Sequence, residues 1–481
     1  MIDKMRTGML QARRDMIRTG LTATLSALAS SCKAQETNRG TVPIEYFGGR
    51  TKAGFDNGPA FRSAFTELRK SRQGLQLQPG TYEIDSRELL RQGAIYRPSG
   101  VGLFGAGADQ TLIKVAGSSV INQIFDASGS SDILTKDLSF IGNGVHDNDA
   151  PYAGAVFKAI LGESADQDMA NLWFKRCRFE NFSSAAWLFF ENQSARHAIQ
   201  GIGSRDCEWI SRTNLPPGAS DITVPGHFVY CHGYAGPIRD VVVEDGVMEA
   251  RFMKGGVALV GNISGGLLKI ERLANAGQAI ANLQSGPDGP GSYAVMLYGQ
   301  EPMAPRGITA EINDLVSPYS VGIYSAGAHH CRYRIEHASG QRDVRDATLF
   351  KGIVAVQGGH HLDISLGRVS DSNRVVMISI DGGNDLGPLA KNAEIAVSVG
   401  EISSRSGAND ITVDAGGSRQ AGGVTVSGYR RGPAAVGVLL RSSTRSTLSG
   451  IDFKDFRSDG AGRPILIGPG NVDLDSVSGL P

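Results

Sequence analysis

Apolar and polar residues alternate in short segments along most of the chain. Six segments end at glycine or another small residue, and they read HFVYCHG, VALVGN, YAVMLYG, GIYSAG, IVAVQG and VMISIDG between His227 and Gly382. Each is followed by a second alternating segment, such as CRYRIEHAS or LDISLGRVS. Strict alternation over about four to eight residues predicts a half-buried β-strand. A unit of two or three strands that recurs every 24 to 38 residues without a helix is typical of a β-solenoid.

The alternation assigns each residue of these segments to the interior or to the surface. Val229 and Cys231 are expected inside, whereas Tyr230 and His232 face outward. Aligning the segments predicts two outward columns, one of Tyr230, Leu259, Met296, Tyr324, Ala355 and Ser379, and one of His232, Gly261, Tyr298, Ala326, Gln357 and Asp381. Because strands in adjacent turns of a solenoid lie about 4.8 Å apart, each column is a ladder across which a polymer can lie.

The segments before the repeats predict a helix followed by turns and strands. A helix is expected near residues 57–73, where Pro59 suits the first turn and Phe61, Phe65 and Leu68 form one apolar face. The segments GLQLQPGTYEI, GVGLFGAGADQTLIKV and SDILTKDLSFIGNG then follow in this order.

These elements resemble the N-terminal region of the pectate-lyase-like single-stranded right-handed parallel β-helix proteins. That region begins with a capping helix, a PGTY turn, a GxGxxxT turn and an L.F.G.G strand, and the resemblance covers residues 42–145. It implies an all-β, right-handed parallel β-helix with an N-terminal capping helix, as one domain over residues 35–481 with rungs from about 75 to 478. The family includes polysaccharide lyases, glycoside hydrolases, epimerases and phage tailspikes, so the resemblance defines the fold more narrowly than the reaction.

Residues 1–34 predict a twin-arginine-like export signal. Arg13 and Arg14 precede the modest apolar stretch LTATLSALA, and small residues end the segment near Ala34, as in cleaved leaders. A periplasmic or extracellular protein is therefore expected. Cleavage before Cys32 would instead make a lipoprotein with a lipid anchor on that cysteine, and a frayed basic N-terminus on a cytosolic protein is the third interpretation.

The charge balance argues against a nucleic-acid partner. The chain carries 48 Lys and Arg residues against 48 Asp and Glu residues, so no basic excess is available to neutralise phosphates. Beyond the leader, no apolar run is long enough to cross a membrane. A polysaccharide is the partner that the ladders and the family resemblance favour.

The long segments between strands cluster in residues 142–307, where they can form the walls of a cleft on a smooth solenoid. Within this part, PGHFVYCHGYAGP carries the most side chains that can move protons. The predicted catalytic residues are Tyr230 and His232 on the outward face, His227 at the strand entrance, and Arg251 and Lys254 on the following rung.

Two reactions fit these residues. In β-elimination, a His, Tyr, Lys or Arg removes the proton α to a uronate carboxylate, and a cation or hydrogen-bond donor neutralises that carboxylate. In hydrolysis, two carboxylates flank the glycosidic bond, about 5–5.5 Å or about 6.5–9.5 Å apart. The best carboxylate pairs in the region of long segments are Asp147 with Asp149 and Asp206 with Glu208. The Gly-His-Gly element of polygalacturonases is present only as a fragment at residues 226–228.

Four residues are expected to contact the substrate, and they are Asp147, Asp149, Trp187 and Tyr298. Exposed aromatic rings are natural platforms for sugar rings, although a tryptophan also packs well in a core. The segment HDND, which contains both aspartates, is alternatively a solvated loop or a Ca²⁺ site built from loop oxygens. Calcium is the one cofactor that the sequence suggests.

Two His-His pairs, His329–His330 and His360–His361, lie 31 residues apart. Aligned rungs place them over one another in the turn between two strands. We interpret them as a structural stack whose imidazoles bond the backbone of the turn. A metal ion held across two rungs is the alternative, but no Asp, Glu or Cys completes a ligand set beside the pairs, so no metal ligands are predicted.

Three functions are consistent with these observations. The first is an exported polysaccharide lyase acting by β-elimination on a uronate-containing polymer. The second is a glycoside hydrolase that uses paired carboxylates on the same scaffold. The third is a non-catalytic polysaccharide-binding or surface β-helix protein.

Overall fold

The computed structural model describes residues 40–121, 123–145, 155–182, 186–212, 226–250, 255–275, 293–300, 302–316, 321–339, 352–372, 375–379, 393–404, 409–415, 420–431, 434, 436–442, 447–468 and 470–480. The predicted leader and its lipid-anchor position Cys32 lie outside the described residues.

Two α-helices lie near the start of the described chain, α1 (Gly58–Ser71) and α2 (Ser86–Gln92), and 3-10 turns occupy Ile44–Phe47 and Leu474–Ser476. Pro59 lies in the first turn of α1, and Phe61 and Phe65 are buried on one face. Both rings contact the ring of Phe125, at centroid distances of 6.0 and 6.1 Å. Helix α1 therefore covers the open end of the core, as the sequence predicts. Among the described residues, no helix is long and apolar enough to cross a membrane.

The rest of the described chain is dominated by β-strands. In chain order they are β1 (Thr41–Pro43), β2 (Gly74–Gln76), β3 (Gly80–Asp85), β4 (Ile95–Tyr96), β5 (Leu103–Phe104), β6 (Thr111–Ala116), β7 (Gln123–Asp126), β8 (Ile133–Lys136), β9 (Ser139–Ile141), β10 (Ala155–Leu161), β11 (Met169–Lys175), β12 (Arg178–Glu180), β13 (Ala186–Asn192), β14 (Ile199–Arg205), β15 (Glu208–Ser211), β16 (His227–Ala250), β17 (Gly255–Asn275), β18 (Tyr293–Tyr298), β19 (Arg306–Val316), β20 (Val321–Ala326), β21 (Arg332–Ser339), β22 (Val354–Gln357), β23 (Leu362–Ser372), β24 (Val376–Ser379), β25 (Ile395–Ser404), β26 (Asn409–Ala415), β27 (Gln420–Arg431), β28 (Val436–Ser442), β29 (Thr447–Asp459), β30 (Arg463–Ile467), β31 (Asn471–Val472) and β32 (Val477–Ser478).

The strands pair in parallel and form three stacks. The first stack contains β4, β7, β10, β13, β18, β20, β22, β24, β26, β28 and β30; the second begins with β1, β2, β5, β8, β11 and β14; the third begins with β3, β6, β9, β12 and β15. Strands β16 and β17 pass through all three stacks, and from β19 onward one long strand serves the second and third. The chain is a right-handed parallel β-helix with a capping helix, which confirms the predicted fold class.

The interior of the coil is apolar and rich in aromatic rings. Phe140, Phe179 and Trp209 stack in succession, with centroid distances of 5.3 and 4.1 Å. Cys177 and Cys207 are buried free thiols, and the Cys177 amide donates to the Cys207 sulfur at 3.4 Å. Rings and sulfurs of adjacent turns thus pack on one another continuously through the core. This packing stabilises the solenoid, because each turn contacts only its neighbouring turns.

The outward columns differ from the prediction by one residue on the β17 turn. Ala258 pairs with Tyr230 and Val260 pairs with His232, where Leu259 and Gly261 were expected. Leu259 is fully buried and is the register partner of the core residue Cys231. The prediction had paired Gly233 with Asn262, whereas its partner in the structure is Gly261. On the β17 turn, this shift of one residue moves each side chain to the other face. The β24 turn differs by two residues, which keeps the face, because Met377 and Ser379 occupy the positions predicted for Ser379 and Asp381.

Candidate functional site

The start of β16 presents a cluster of aromatic and imidazole side chains on the outer face of the first stack. Val229 and Cys231 are buried in the core, while Tyr230 and His232 between them are half-buried on the outside, as the alternation predicts. The Tyr230 and His232 rings lie 6.0 Å apart, and the exposed Tyr234 lies 5.5 Å from His232. Two groups able to carry protons are therefore adjacent on an accessible surface.

His227 is held beneath this surface by a tyrosine two rungs away. Its Nε2 lies 2.6 Å from the Tyr293 hydroxyl, and its side chain is buried. Gly255 is the register partner between them, and a Cβ there would lie within 2.8 Å of both rings. The missing side chain of Gly255 thus allows the two rings to meet. The expectation that His227 acts directly on substrate is corrected, because the residue is 6% exposed.

The Tyr293 hydroxyl is a buried hydrogen-bond partner of the His227 ring. Burial, with a smaller contribution from the nearby phenol of Tyr230, raises the pKa of Tyr293 well above its ordinary value, so the phenol stays protonated. A protonated phenol can donate to an unprotonated Nε2 or accept from a protonated one, so this contact accommodates either tautomer of His227. The His227 ring lies 5.2 Å from the Tyr230 ring, and it supports that ring from the interior side.

Partial burial controls the charge of His232. Burial lowers the pKa of His232, and the carboxylate of Glu191 on the adjacent strand opposes this by a smaller amount. The imidazole is therefore mostly neutral at pH 7, the form that accepts a proton. Gln193 donates to Glu191 Oε1 at 2.7 Å, which holds the carboxylate in place.

The outer face continues on both sides of this cluster. On the preceding rungs, the Phe189 ring lies parallel to that of Tyr230 at 5.6 Å, and Lys158 is the register partner of Phe189. On the following rungs, Tyr298 is 36% exposed, whereas Tyr324 is buried and donates to Gln357 Oε1 at 2.6 Å. Sequence reasoning did not single out Lys158, Phe189 and Glu191. Their alternation in AVFKAIL and AWLFFEN was visible, but their register with β16 was not.

Several predicted site residues are not brought together by the described structure. Arg251, Lys254, Asp147 and Asp149 lie outside the described residues, and so does the HDND segment considered for calcium. Their roles remain predictions. Asp206 and Glu208 are exposed, but they lie where the second stack passes into the third, away from the outer face of the first.

Trp187 is part of the core and is not available to a polysaccharide, which corrects the predicted role in substrate binding. Its side chain is completely buried, its Nε1 donates to the Phe182 carbonyl at 3.1 Å, and its ring packs against Phe228 at 4.8 Å. Trp173 and Trp209 are buried as well. The bulk of an indole is most stable inside, where it removes a large apolar area from water.

The variant Trp187→Phe should therefore affect stability without affecting saccharide binding. We expect a loss of about 1–3 kcal/mol, from the smaller ring and the lost hydrogen bond, measured by urea unfolding followed by intrinsic fluorescence. Affinity electrophoresis in polysaccharide gels should show unchanged retardation. The matched variant Tyr298→Ala should do the reverse, with weaker retardation and little change in stability. Weaker retardation for Trp187→Phe at full stability would contradict the core assignment.

The four histidines that precede β21 and β23 in the chain form the stack expected of them. His329 lies over His360 at 4.1 Å, and His330 lies over His361 at 4.4 Å. The prediction that no carboxylate lies beside them is wrong. Glu394 Oε2 lies 2.7 Å from His361 Nδ1, because Glu394 follows one turn later at the register position of His361.

No family model matches the chain, and no curated protein is similar to it in sequence. The A-module of the mannuronan C-5 epimerase AlgE4 of Azotobacter vinelandii is 15% identical with a TM-score of 0.43, over 91% of this chain and 100% of that one. The surface adhesin PfbA of Streptococcus pneumoniae is 10% identical with a TM-score of 0.48, over 89% and 93%. Tailspike protein 3 of bacteriophage CBA120 is 15% identical with a TM-score of 0.35, over 92% and 62%. At such identities the likeness concerns the course of the backbone alone, and no activity is transferred with it.

Proposed function

We propose that this protein is a carbohydrate-active enzyme that binds an acidic polysaccharide across the outer face of the first stack and cleaves it by β-elimination. The proposal rests on one observation, the adjacency of Tyr230 and a mostly neutral His232 on an accessible face. The predicted export signal agrees with a polymeric substrate outside the cytoplasm.

Binding would use the aromatic side chains that the coil aligns. Phe189, Tyr230 and Tyr298 lie on the outer face over four successive strands of the first stack, β13, β16, β17 and β18. Aromatic rings stack on the apolar faces of sugar rings, and tyrosine adds a hydroxyl that can bond a sugar oxygen. Lys158 supplies a positive charge two rungs from Tyr230, and the predicted residues Arg251 and Lys254 would add others. A uronate carboxylate needs such a charge when its α-proton is removed.

The chemical step then follows from the two groups on β16. The neutral imidazole of His232 accepts the proton from C-5 of the uronate, and the electron pair left on C-5 forms the double bond to C-4. The bond from C-4 to the glycosidic oxygen breaks, and this oxygen takes the proton of the Tyr230 hydroxyl. His227 acts as a positioning residue, because its ring supports that of Tyr230 from the buried side.

Hydrolysis is less well supported by the described part of this face. On the first-stack strands from β13 to β22, Glu191 is the one carboxylate among the described residues. A glycoside hydrolase needs two carboxylates at a defined separation, so this mechanism would require a second carboxylate from outside these strands, for which Asp147 and Asp149 are the predicted candidates.

Incubation with acidic and neutral polysaccharides, followed by two readouts, tests the proposal. We expect an acidic polymer to yield both ultraviolet absorbance from an unsaturated product and new reducing ends. Reducing ends without absorbance would replace the lyase by a hydrolase. If neither is produced while affinity electrophoresis still shows retardation, the protein is a binding module.

A further inference from the structure

One corner of the coil uses a left-handed backbone conformation in turn after turn. The residue at this corner, where the first stack passes into the second, has φ between 49° and 75° on every turn from Gly100 to Glu394. In register order the residues are Gly100, Asp132, Asn171, Gly201, Asp240, Gly265, Gly307, His330, His361 and Glu394, followed by Gly423 and Gly450. Glycine, Asn and Asp tolerate this conformation best.

Three consecutive turns break this preference. His330, His361 and Glu394 occupy the corner with φ of 53°, 55° and 49°. A glutamate there costs about 1–2 kcal/mol relative to glycine, and a histidine is tolerated better but still less than glycine. Every other corner residue from Gly100 to Gly450 is Gly, Asn or Asp. Strained backbone positions are concentrated at functional sites, and the three strained residues of this corner are consecutive in register.

The side chains of this corner converge with a third imidazole. His330 and His361 stack at 4.4 Å, and the His360 ring stands edge-on to both, at 5.6 and 4.9 Å with interplanar angles of 89° and 87°. One nitrogen from each of the three rings lies within 4.8 Å of the others. Nitrogens bound tetrahedrally to one zinc ion are about 3.4 Å apart, so side-chain rotations of roughly 1 Å would bring all three into contact with a metal.

Glu394 supplies the remaining element of such a site. Its Oε2 lies 2.7 Å from His361 Nδ1, which leaves Nε2 of His361 as the nitrogen that can bind a metal. A carboxylate in this position fixes the tautomer and orientation of a metal-binding imidazole and raises its basicity. The three histidines are exposed or half-buried, so an ion can reach them from solvent.

We propose that His330, His360 and His361 bind one divalent transition-metal ion, with zinc as the best fit, and that Glu394 orients His361. Three imidazole nitrogens suit zinc, copper or nickel, whereas calcium requires six to eight oxygen ligands. The ion would join two adjacent turns of the coil. This site is separate from the His232 cluster, and it stands whether or not the proposed cleavage occurs.

Isothermal titration of tag-free, chelator-treated protein with ZnCl₂ tests the site. We expect one zinc per chain with a dissociation constant of about 1 µM or tighter, and no heat with CaCl₂. The variants His330→Asn and His361→Asn should each weaken binding at least about 100-fold, because each removes one of three ligands. Asparagine suits the corner conformation, as Asn171 shows on an earlier turn, so both variants should keep the unfolding midpoint of the metal-free protein.

Two further variants separate this site from adventitious binding by surface histidines. Glu394→Gln should weaken zinc binding about 10–100-fold, since it removes the orienting charge. His337→Ala removes an exposed histidine elsewhere on β21 and should leave the affinity unchanged. Zinc binding only in the millimolar range, or equal affinity in the wild type and both asparagine variants, would overturn the proposal.

Discussion

Replacing His232 by alanine should lower kcat for cleavage of an acidic polysaccharide by about 10²–10⁴-fold, the range that a positioned general base contributes. KM should change much less, because the aromatic residues that hold the polymer remain. The effect on kcat is expected because His232 is half-buried on the outer face, with its ring 6.0 Å from the Tyr230 ring. Initial rates of ultraviolet absorbance over a range of substrate concentrations give both constants. Tyr230→Phe should also lower kcat, by removing the proton for the leaving oxygen.

The pH dependence gives a readout that a merely structural role of His232 would not change. A protonated imidazole cannot accept a proton, so kcat/KM should fall as the pH falls through the pKa of His232. Burial lowers this pKa below its ordinary value of 6.5, and the charge of Glu191 opposes the shift. Glu191→Gln removes that charge and should move the acidic limb to lower pH. Profiles of both proteins from about pH 4 to about pH 8 measure the displacement.

His337→Ala provides the control for these measurements. It removes an exposed histidine from β21 and should leave kcat and the pH profile unchanged. Full activity in His232→Ala would place the chemistry elsewhere, and the segment of Arg251 and Lys254 would then be the next region to test.

Much of the fold could be predicted because each strand carries its own signal. Alternation in HFVYCHG shows that Tyr230 and His232 face outward, and the sequence of α1 shows its apolar face. Register between turns is a different kind of information. Turns vary between 24 and 38 residues, and aligning the VALVGN segment on Asn262 rather than on Gly261 placed Leu259 outside, although it lies in the core.

The site was predicted less completely for the same reason. The contact between Glu394 and His361 joins two turns of the coil, and the local sequence around either residue does not predict it. The contact of His227 with Tyr293 likewise depends on Gly255, which leaves space between two rungs. For Trp187, the residue type alone suggested a platform for sugar rings, whereas its indole is buried and its Nε1 donates to the Phe182 carbonyl.

A buried carboxylate between the second and third stacks shows how strongly one polar side chain can control such a core. Asp245 is 5% exposed and accepts three hydrogen bonds, from Ser204 Oγ at 2.6 Å, the Cys207 amide at 2.9 Å and Trp209 Nε1 at 2.9 Å. These donors favour the ionised carboxylate, but burial has the larger effect and raises its pKa to about 6. The group is thus satisfied by hydrogen bonds and still costly to ionise.

Asp245→Ala should lower the free energy of unfolding by about 3–6 kcal/mol, because three buried donors lose their acceptor. Urea unfolding followed by the fluorescence of the buried tryptophans measures this loss. Glu244→Ala, which removes a half-buried surface carboxylate from the neighbouring position, should cost less than about 1 kcal/mol. Equal losses in the two variants would contradict the role assigned to the buried network.

The same residue should make stability depend on pH in a defined direction. The folded-state pKa of about 6 lies above the ordinary value of 3.8, so between these values the folded protein binds more protons than the unfolded chain. The contribution of Asp245 to the free energy of unfolding is therefore greatest below about pH 4 and decreases as the pH rises to about 6. The total decrease is about 3 kcal/mol. The variant Asp245→Asn cannot titrate at this position, so it should lack this pH dependence. The difference in unfolding free energy between wild type and variant should therefore change between about pH 4 and about pH 6 and stay constant above about pH 6. A difference that is independent of pH would show that Asp245 keeps its ordinary pKa despite its burial.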